Sequence, residues 1–233
     1  MIADDLRELL GDRIPGGHTR QVLADEWIPR LAEAGPSVMD LGCGTGDSVD
    51  AFRPHVPGLR WVGVDLPASP EVDERTRDDA EFRTFDGLSI PAADGEFDSV
   101  YCKQVLEHVE RPDPLLADVA RVLRPGGLFA GSVSQLEPFH SLSVGNMTPY
   151  GLMRLAERSG LELVEVRPGI DALTLIVHRG LGMPAYTRRW WSRESPLNRA
   201  IGLFGRARRL DAQGVNAIKL LFCGQFAFLA RRP

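Results

Sequence analysis

One stretch, Val38-Met39-Asp40-Leu41-Gly42-Cys43-Gly44-Thr45-Gly46-Asp47, constrains the fold of this chain more than any other. Ser37 to Leu41 is a short apolar run that reads as a buried strand. Glycines at alternate positions follow it, and a helix opens near Asp47. A glycine loop between strand and helix belongs at the C-terminal edge of a parallel sheet. There a ligand can approach the backbone, and the helix start offers free N–H groups. The spacing narrows the ligand. A dinucleotide loop needs G-x-G-x-x-G, but counting from Gly42 places Asp47 at the last position, and counting from Gly44 places Val49 there. No G-K-[ST] occurs either. With Asp40 and Asp47 in it, the loop repels phosphate and suits a ligand with a cationic amino group.

The remaining pattern alternates strand and helix. Helices are predicted over residues 4–14 and 20–34, with Pro29 a potential kink, then strands near 60–65, 81–85, 97–102, 128–133 and 161–166, and a last strand near 222–231. A helix is expected at 114–122, stopped by Arg124-Pro125-Gly126-Gly127. Another starts at Thr148-Pro149, an N-cap followed by proline at the first helical position. This rhythm predicts a mostly parallel sheet covered on both faces. Residues 168–220 break it and are read as an insertion before the last strand.

Five signatures in order give the chain a family resemblance. Val38–Gly46, Asp65 (19 residues past Gly46), Phe85-Asp86-Gly87, Ile90-Pro91 through Phe97-Asp98-Ser99-Val100, and Val105–Val109 with Leu123–Gly127 resemble the class I S-adenosylmethionine (SAM)-dependent methyltransferases, in particular the small ubiquinone/menaquinone-type group. The resemblance spans about residues 37–166. It implies a single α/β Rossmann-like domain with a seven-stranded, mostly parallel sheet and an antiparallel last strand. Residues 1–36 would be a helical lid, 37–167 the SAM-binding core, 168–220 an acceptor wall, and 221–233 the last strand. It also implies SAM as cosubstrate, leaving S-adenosylhomocysteine. Asp40, Gly42, Cys43, Gly44 and Gly46 would form the binding loop. Asp65 would hold the ribose hydroxyls, Leu66 would lie against the adenine, and Asp86 with Gly87 would meet the adenine edge. Lys103, closing the fourth strand, is grouped with the cofactor side, and Arg20 is a candidate partner for the methionine carboxylate. No metal ligand set is expected. Cys43 reads as a small filler and His108 as structural. The [DNS]-P-P-[YF] motif of DNA- and protein-amide N-methyltransferases is absent after the fourth strand.

The loop after the fifth strand, Gln135-Leu136-Glu137-Pro138-Phe139-His140-Ser141, is the expected acceptor side. Methyl transfer is an in-line displacement that positioning can accelerate, and a hydroxyl nucleophile gains from a base that titrates near neutrality. His140 is the first candidate base and Glu137 the second; a loop-capping or substrate-binding His140 is the alternative.

Charge is divided unevenly. Residues 1–178 hold 16 Arg and Lys against 30 Asp and Glu, whereas residues 179–233 hold 11 against 2. Eight arginines lie between Arg179 and Arg209, interleaved with Tyr186, Trp190, Trp191 and Phe204. Such a segment meets its own acidic body, an anionic or lipid-linked acceptor, a membrane surface or, least favoured, nucleic acid. Nothing accompanying it resembles an RNA-binding module. Three cysteines without a C-x-x-C and an acidic N-terminus fit reduced thiols in a cytoplasmic protein. The expected function is methylation of a hydroxyl on a small-molecule or glycan-type acceptor. The alternatives are N- or C-methylation, a SAM-binding protein with non-methyl chemistry, and a peripheral membrane-binding module.

Overall fold

The computed structural model describes residues 3–233. Seven strands form one sheet in the order β3-β2-β1-β4-β5-β7-β6. They are β1 (Ser37–Leu41), β2 (Arg60–Asp65), β3 (Glu81–Thr84), β4 (Phe97–Lys103), β5 (Leu123–Ser134), β6 (Glu162–Pro168) and β7 (Gln225–Arg231). Neighbours from β3 to β5 are parallel, while β7 runs antiparallel to both β5 and β6. β1 and β4 lie side by side with the chain leaving toward opposite edges, so a crevice opens at their C-terminal ends.

Alternate residues of each strand enter different cores, as the two-residue pleat requires. Met39, Val62, Val100, Phe129 and Phe228 pack on one face, where helices α5 (Pro112–Val122), α6 (Pro149–Arg158) and α10 (Ala212–Phe222) supply Leu116, Leu155 and Leu220. Val38, Trp61, Tyr101, Ala130 and Ala227 pack on the other with Leu31 of α2 (Ile28–Ala32) and Phe52 of α3 (Ser48–Phe52). Thr148 caps α6 as its sequence predicts, accepting from the Gly151 amide at 3.0 Å.

Three expectations change. The helix expected over 20–34 is only a 3-10 turn, Ala24–Trp27, leading into α2. Residues 21–22 are tied instead to distant chain, Val22 N–H to the Pro168 carbonyl and Gln21 N–H to Glu194. β5 starts before the Arg124–Gly127 turn. Its pairing with β4 jumps from Leu123 to Leu128, so that turn is a bulge within the strand. The last strand begins at Gln225 because α10, capped by Asp211, continues through Phe222. The segment before it is helical: α7 (Ala172–Gly180), α8 (Arg189–Ser192), α9 (Pro196–Ala207) and α10, with α1 (Asp4–Leu10) packed against α10.

Candidate active site

The glycine loop turns off β1 as the sequence requires. Gly42 and Gly46 have φ of 73° and 87°, and a Cβ on Gly42 would lie 2.3 Å from the Val105 side chain. The turn after β4 therefore packs directly on the loop. Gly42 N–H donates back to the Val64 carbonyl at 2.8 Å, and Gly44 N–H donates to Asp65 Oδ2 at 2.6 Å. Asp65 Oδ1 accepts from the Leu66 amide at 2.7 Å. The Leu66 side chain reaches Gly87, so residues after β2 and β3 form adjacent walls.

Asp40 is buried at the end of β1. Its Oδ2 accepts from Ser48 Oγ at 2.5 Å, and that hydroxyl accepts from Trp61 Nε1 at 3.0 Å. Burial pushes the Asp40 carboxyl up to about 7, helped by repulsion from Asp65 and opposed by the Ser48 hydrogen bond. Asp86 is exposed. Its Oδ1 caps a turn by accepting from the Leu88 and Ser89 amides, and these hold its carboxyl below the usual range. Burial raises the Cys43, Cys102 and Cys223 thiols, the last to about 12, which marks them as inert packing groups.

Two cofactor-side expectations meet competing partners. Lys103 Nζ lies 3.0 Å from Asp25 Oδ1, an oxygen that also accepts from Tyr101 Oη at 2.5 Å. Arg20 is well exposed and pairs with Glu26 at 2.6 Å, with no contact to the glycine loop. The sequence reading missed Arg75. Its Nε donates to the Gly44 carbonyl at 2.8 Å while its guanidinium stacks 4.1 Å from the Phe82 ring centre. Arg75 lies 31 residues from Gly44 in no recognisable motif, so only the folded chain connects them.

The acceptor side gathers residues from four elements. Glu137 is buried: Oε1 accepts from Arg179 at 2.8 Å, and Oε2 accepts from Ser134 Oγ and Gln225 Nε2. It thus ties the post-β5 loop to β7 and α7, with both oxygens engaged by protein donors. His140 is partly buried, with Nε2 4.0 Å from Glu107 Oε1 and its ring edge-to-face with His108 at 5.3 Å. The loop folds back on the post-β4 turn through the Val144 amide and the Glu107 carbonyl, 2.8 Å apart. Burial raises the Glu107 carboxyl above its usual range. Glu107 and His108 were not expected to be functional; β4–β5 pairing is what brings them to His140.

Beyond this cluster the surface is apolar and basic. Leu173, Ile176, Val177 and Leu181, spaced as one face of α7 and its end, are exposed, as are Phe139, Leu142, Tyr186, Leu203 and Phe204. Arg188, Arg189, Arg193, Arg199, Arg206, Arg208 and Arg209 are exposed and, among the described residues, form no ion pair. Trp190 is stacked by Arg189 and Arg199, and Trp191 packs on His178. Among the described residues these seven arginines therefore take no part in pairing with the acidic body.

A family model described as "Methyltransferase domain" matches residues 39–131, covering β1 through most of β5. An uncharacterized methyltransferase of Mycolicibacterium paratuberculosis is 33% identical over 199 residues, 75% of this chain and 76% of the relative. The demethylmenaquinone methyltransferase of Renibacterium salmoninarum is 35% identical over 126 residues, covering 52% and 50% of the two chains. Among solved structures, an S-adenosylmethionine-dependent methyltransferase from Mesorhizobium loti superposes with a TM-score of 0.55 at 20% identity, covering 89% of this chain and 98% of that one. The glycine loop, the sheet order and these relatives together define a SAM-dependent methyltransferase of the Rossmann-like class. The chain belongs to that family. No helix among the described residues is long and apolar enough to cross a membrane.

Proposed function

We propose that the enzyme methylates a hydroxyl of an amphiphilic, anionic or glycan-linked small molecule, with SAM bound along the ends of β1, β2 and β3. The donor set suits SAM. Carboxylates of Asp40, Asp65 and Asp86 stand at or just beyond three successive strand ends, and the glycine loop leaves backbone where a side chain would block a ligand. In this reading Asp65 takes the ribose hydroxyls, Leu66 and Gly87 flank the adenine, and Asp86 accepts from the adenine amino group through Oδ2, since Oδ1 is engaged. Gly42, Cys43, Gly44 and Gly46 carry the methionine end beside Asp40. Lys103, near Asp40, is better placed for the methionine carboxylate than Arg20. Releasing it from Asp25 costs only the ~0–1 kcal/mol of an exposed pair.

The observation that carries the hydroxyl acceptor is the Glu107–His108–His140 cluster, which begins two residues after Val105, whose side chain packs on Gly42 of the glycine loop. A hydroxyl must lose its proton as the O–CH3 bond forms, and these groups, His140 outermost, can draw it off. The unpaired arginines and the exposed apolar side chains, Phe139 and Leu142 of the His140 loop among them, suit an acceptor with an anionic group and an apolar body, free or in a membrane surface. The test is incubation with methyl-labelled SAM and matched hydroxyl and amine acceptors, anionic and neutral. Label recovered as a methyl ether supports the reading; label on nitrogen or carbon, or no transfer, overturns it.

A further inference from the structure

Glu107 and His108 adjoin each other after β4, and His140 comes from the loop after β5. One donor atom of each lies within 4.8 Å of the other two. Glu107 is only 2% exposed, yet among the described residues its Oε2 has no hydrogen-bond partner, and neither has Nδ1 of His108. The His140 proton is positioned by its surroundings. The Pro138 carbonyl, 3.3 Å from Nδ1, can only accept, so a neutral His140 places its hydrogen on Nδ1 and leaves Nε2, 4.0 Å from Glu107 Oε1, as the ligand atom.

Charge is unbalanced in the same place. Ser134 Oγ lies 2.9 Å from Glu107 Oε1 and 2.8 Å from Glu137 Oε2, and the Gln104 side-chain amide, its nitrogen turned inward, donates to Glu107 Oε1 at 2.9 Å, so neutral donors serve that oxygen. Glu137 has Arg179 as its counter-charge. Among the described residues Glu107 has no arginine or lysine, and a buried carboxylate without a cation is costly.

We propose that Glu107, His108 and His140 form the protein face of a divalent transition-metal site that binds the acceptor hydroxyl. Two imidazoles and one carboxylate, with other coordination positions open, are a ligand set for Zn²⁺ or a neighbouring first-row ion. Metal–ligand bonds of about 2.0–2.2 Å need donors roughly 3–3.5 Å apart, so binding would draw the three side chains together by about an ångström. A hydroxyl on such an ion releases its proton to solvent near neutral pH, as metal-bound water does. Its oxygen pair then forms the O–CH3 bond as the S–CH3 bond breaks. A methyl ether, a neutral thioether and one released proton result. This catalytic role rests on the hydroxyl-methylation reading, whereas the binding site rests on the ligand set alone.

The test uses the full chain, stripped with a chelator and titrated with Mn²⁺ followed by electron paramagnetic resonance, and with Zn²⁺ by calorimetry. One saturable site per chain is expected, weakened at least about tenfold in Glu107→Gln and His140→Ala, with SAM affinity unchanged. Thermal melting reports whether each variant folds; His140, nearer the surface, keeps the test valid if Glu107→Gln unfolds. No saturable site, or equal affinity in wild type and His140→Ala, overturns the proposal. Chelated enzyme that methylates as fast as loaded enzyme overturns the catalytic role. Metal binding without transfer to any hydroxyl supports the site and breaks the acceptor reading instead, which separates the two failures.

Discussion

The two ends of the crevice are built differently. On the proposed cofactor side, residues 38–87 supply the glycine loop, Asp40, Asp65 and Asp86 from one continuous segment, and among the described residues no buried side-chain polar atom there lacks a partner. On the acceptor side, Glu107, His108, Gln135 and Arg179 each leave a buried polar atom unpartnered. Those residues arrive from the ends of β4 and β5 and from α7. Buried polar groups are normally satisfied, so these four exceptions fit the proposed acceptor site, whereas the proposed cofactor side is satisfied by the chain itself.

If that contrast holds, damage to one side leaves the other intact. The largest effect is expected for His140→Ala, which lowers turnover by roughly 10²–10⁴ through loss of proton removal from the acceptor. SAM affinity, measured by calorimetry, stays the same. A parallel loss of SAM binding would show that the two sides are one unit.

Next in size is Asp65→Ala, expected to weaken SAM binding by ~1.5–3 kcal/mol, the range for a hydrogen bond to a charged group. The acceptor KM should not move. Unchanged SAM affinity would remove Asp65 from the ribose site.

A smaller effect is set by Asp40, whose carboxyl lies near 7 in the folded protein against 3.8 ordinarily. The folded state binds more protons than the unfolded one between those values, so this group's contribution to stability falls as pH rises through that window. A cationic ligand favours the ionised form. SAM affinity should therefore rise by up to about tenfold from about pH 6 to about pH 8, and Asp40→Asn should flatten the profile. A flat profile in the wild type would mean that Asp40 does not face the cationic end of SAM.

The smallest effect belongs to the basic face. Changing Arg188, Arg189 and Arg193 together to Gln should raise the KM of an anionic acceptor, by up to about fivefold if the net effect is that of an exposed pair, and the difference should shrink as salt rises above about 0.1 M. These arginines form no ion pair within the described chain, so the melting temperature should hold. A fall in melting temperature at constant KM would return them to the acidic body.

The sequence alone determined the family and the sheet, and it pointed to the residues proposed for the cofactor side. Glycine spacing, strand-end carboxylates and an apolar rhythm are local, and each element's neighbours in sequence are also its neighbours in space from β1 to β3. Even so, Arg75 escaped notice, because a side chain that clamps a loop carbonyl leaves no periodic trace. The acceptor side was legible only as a loop containing Glu137 and His140. Glu137 reads as a base in isolation; in the fold Arg179, Ser134 and Gln225 occupy both of its oxygens. His108 reads as structural until β4 and β5 pair in register and set it against His140, 32 positions later. Whether seven arginines were spent on the acidic body or left for a partner was equally beyond the sequence. Composition fixes how much charge a segment has, and tertiary packing decides which charges meet, because ion pairing depends on distances of a few ångströms between residues far apart in the chain.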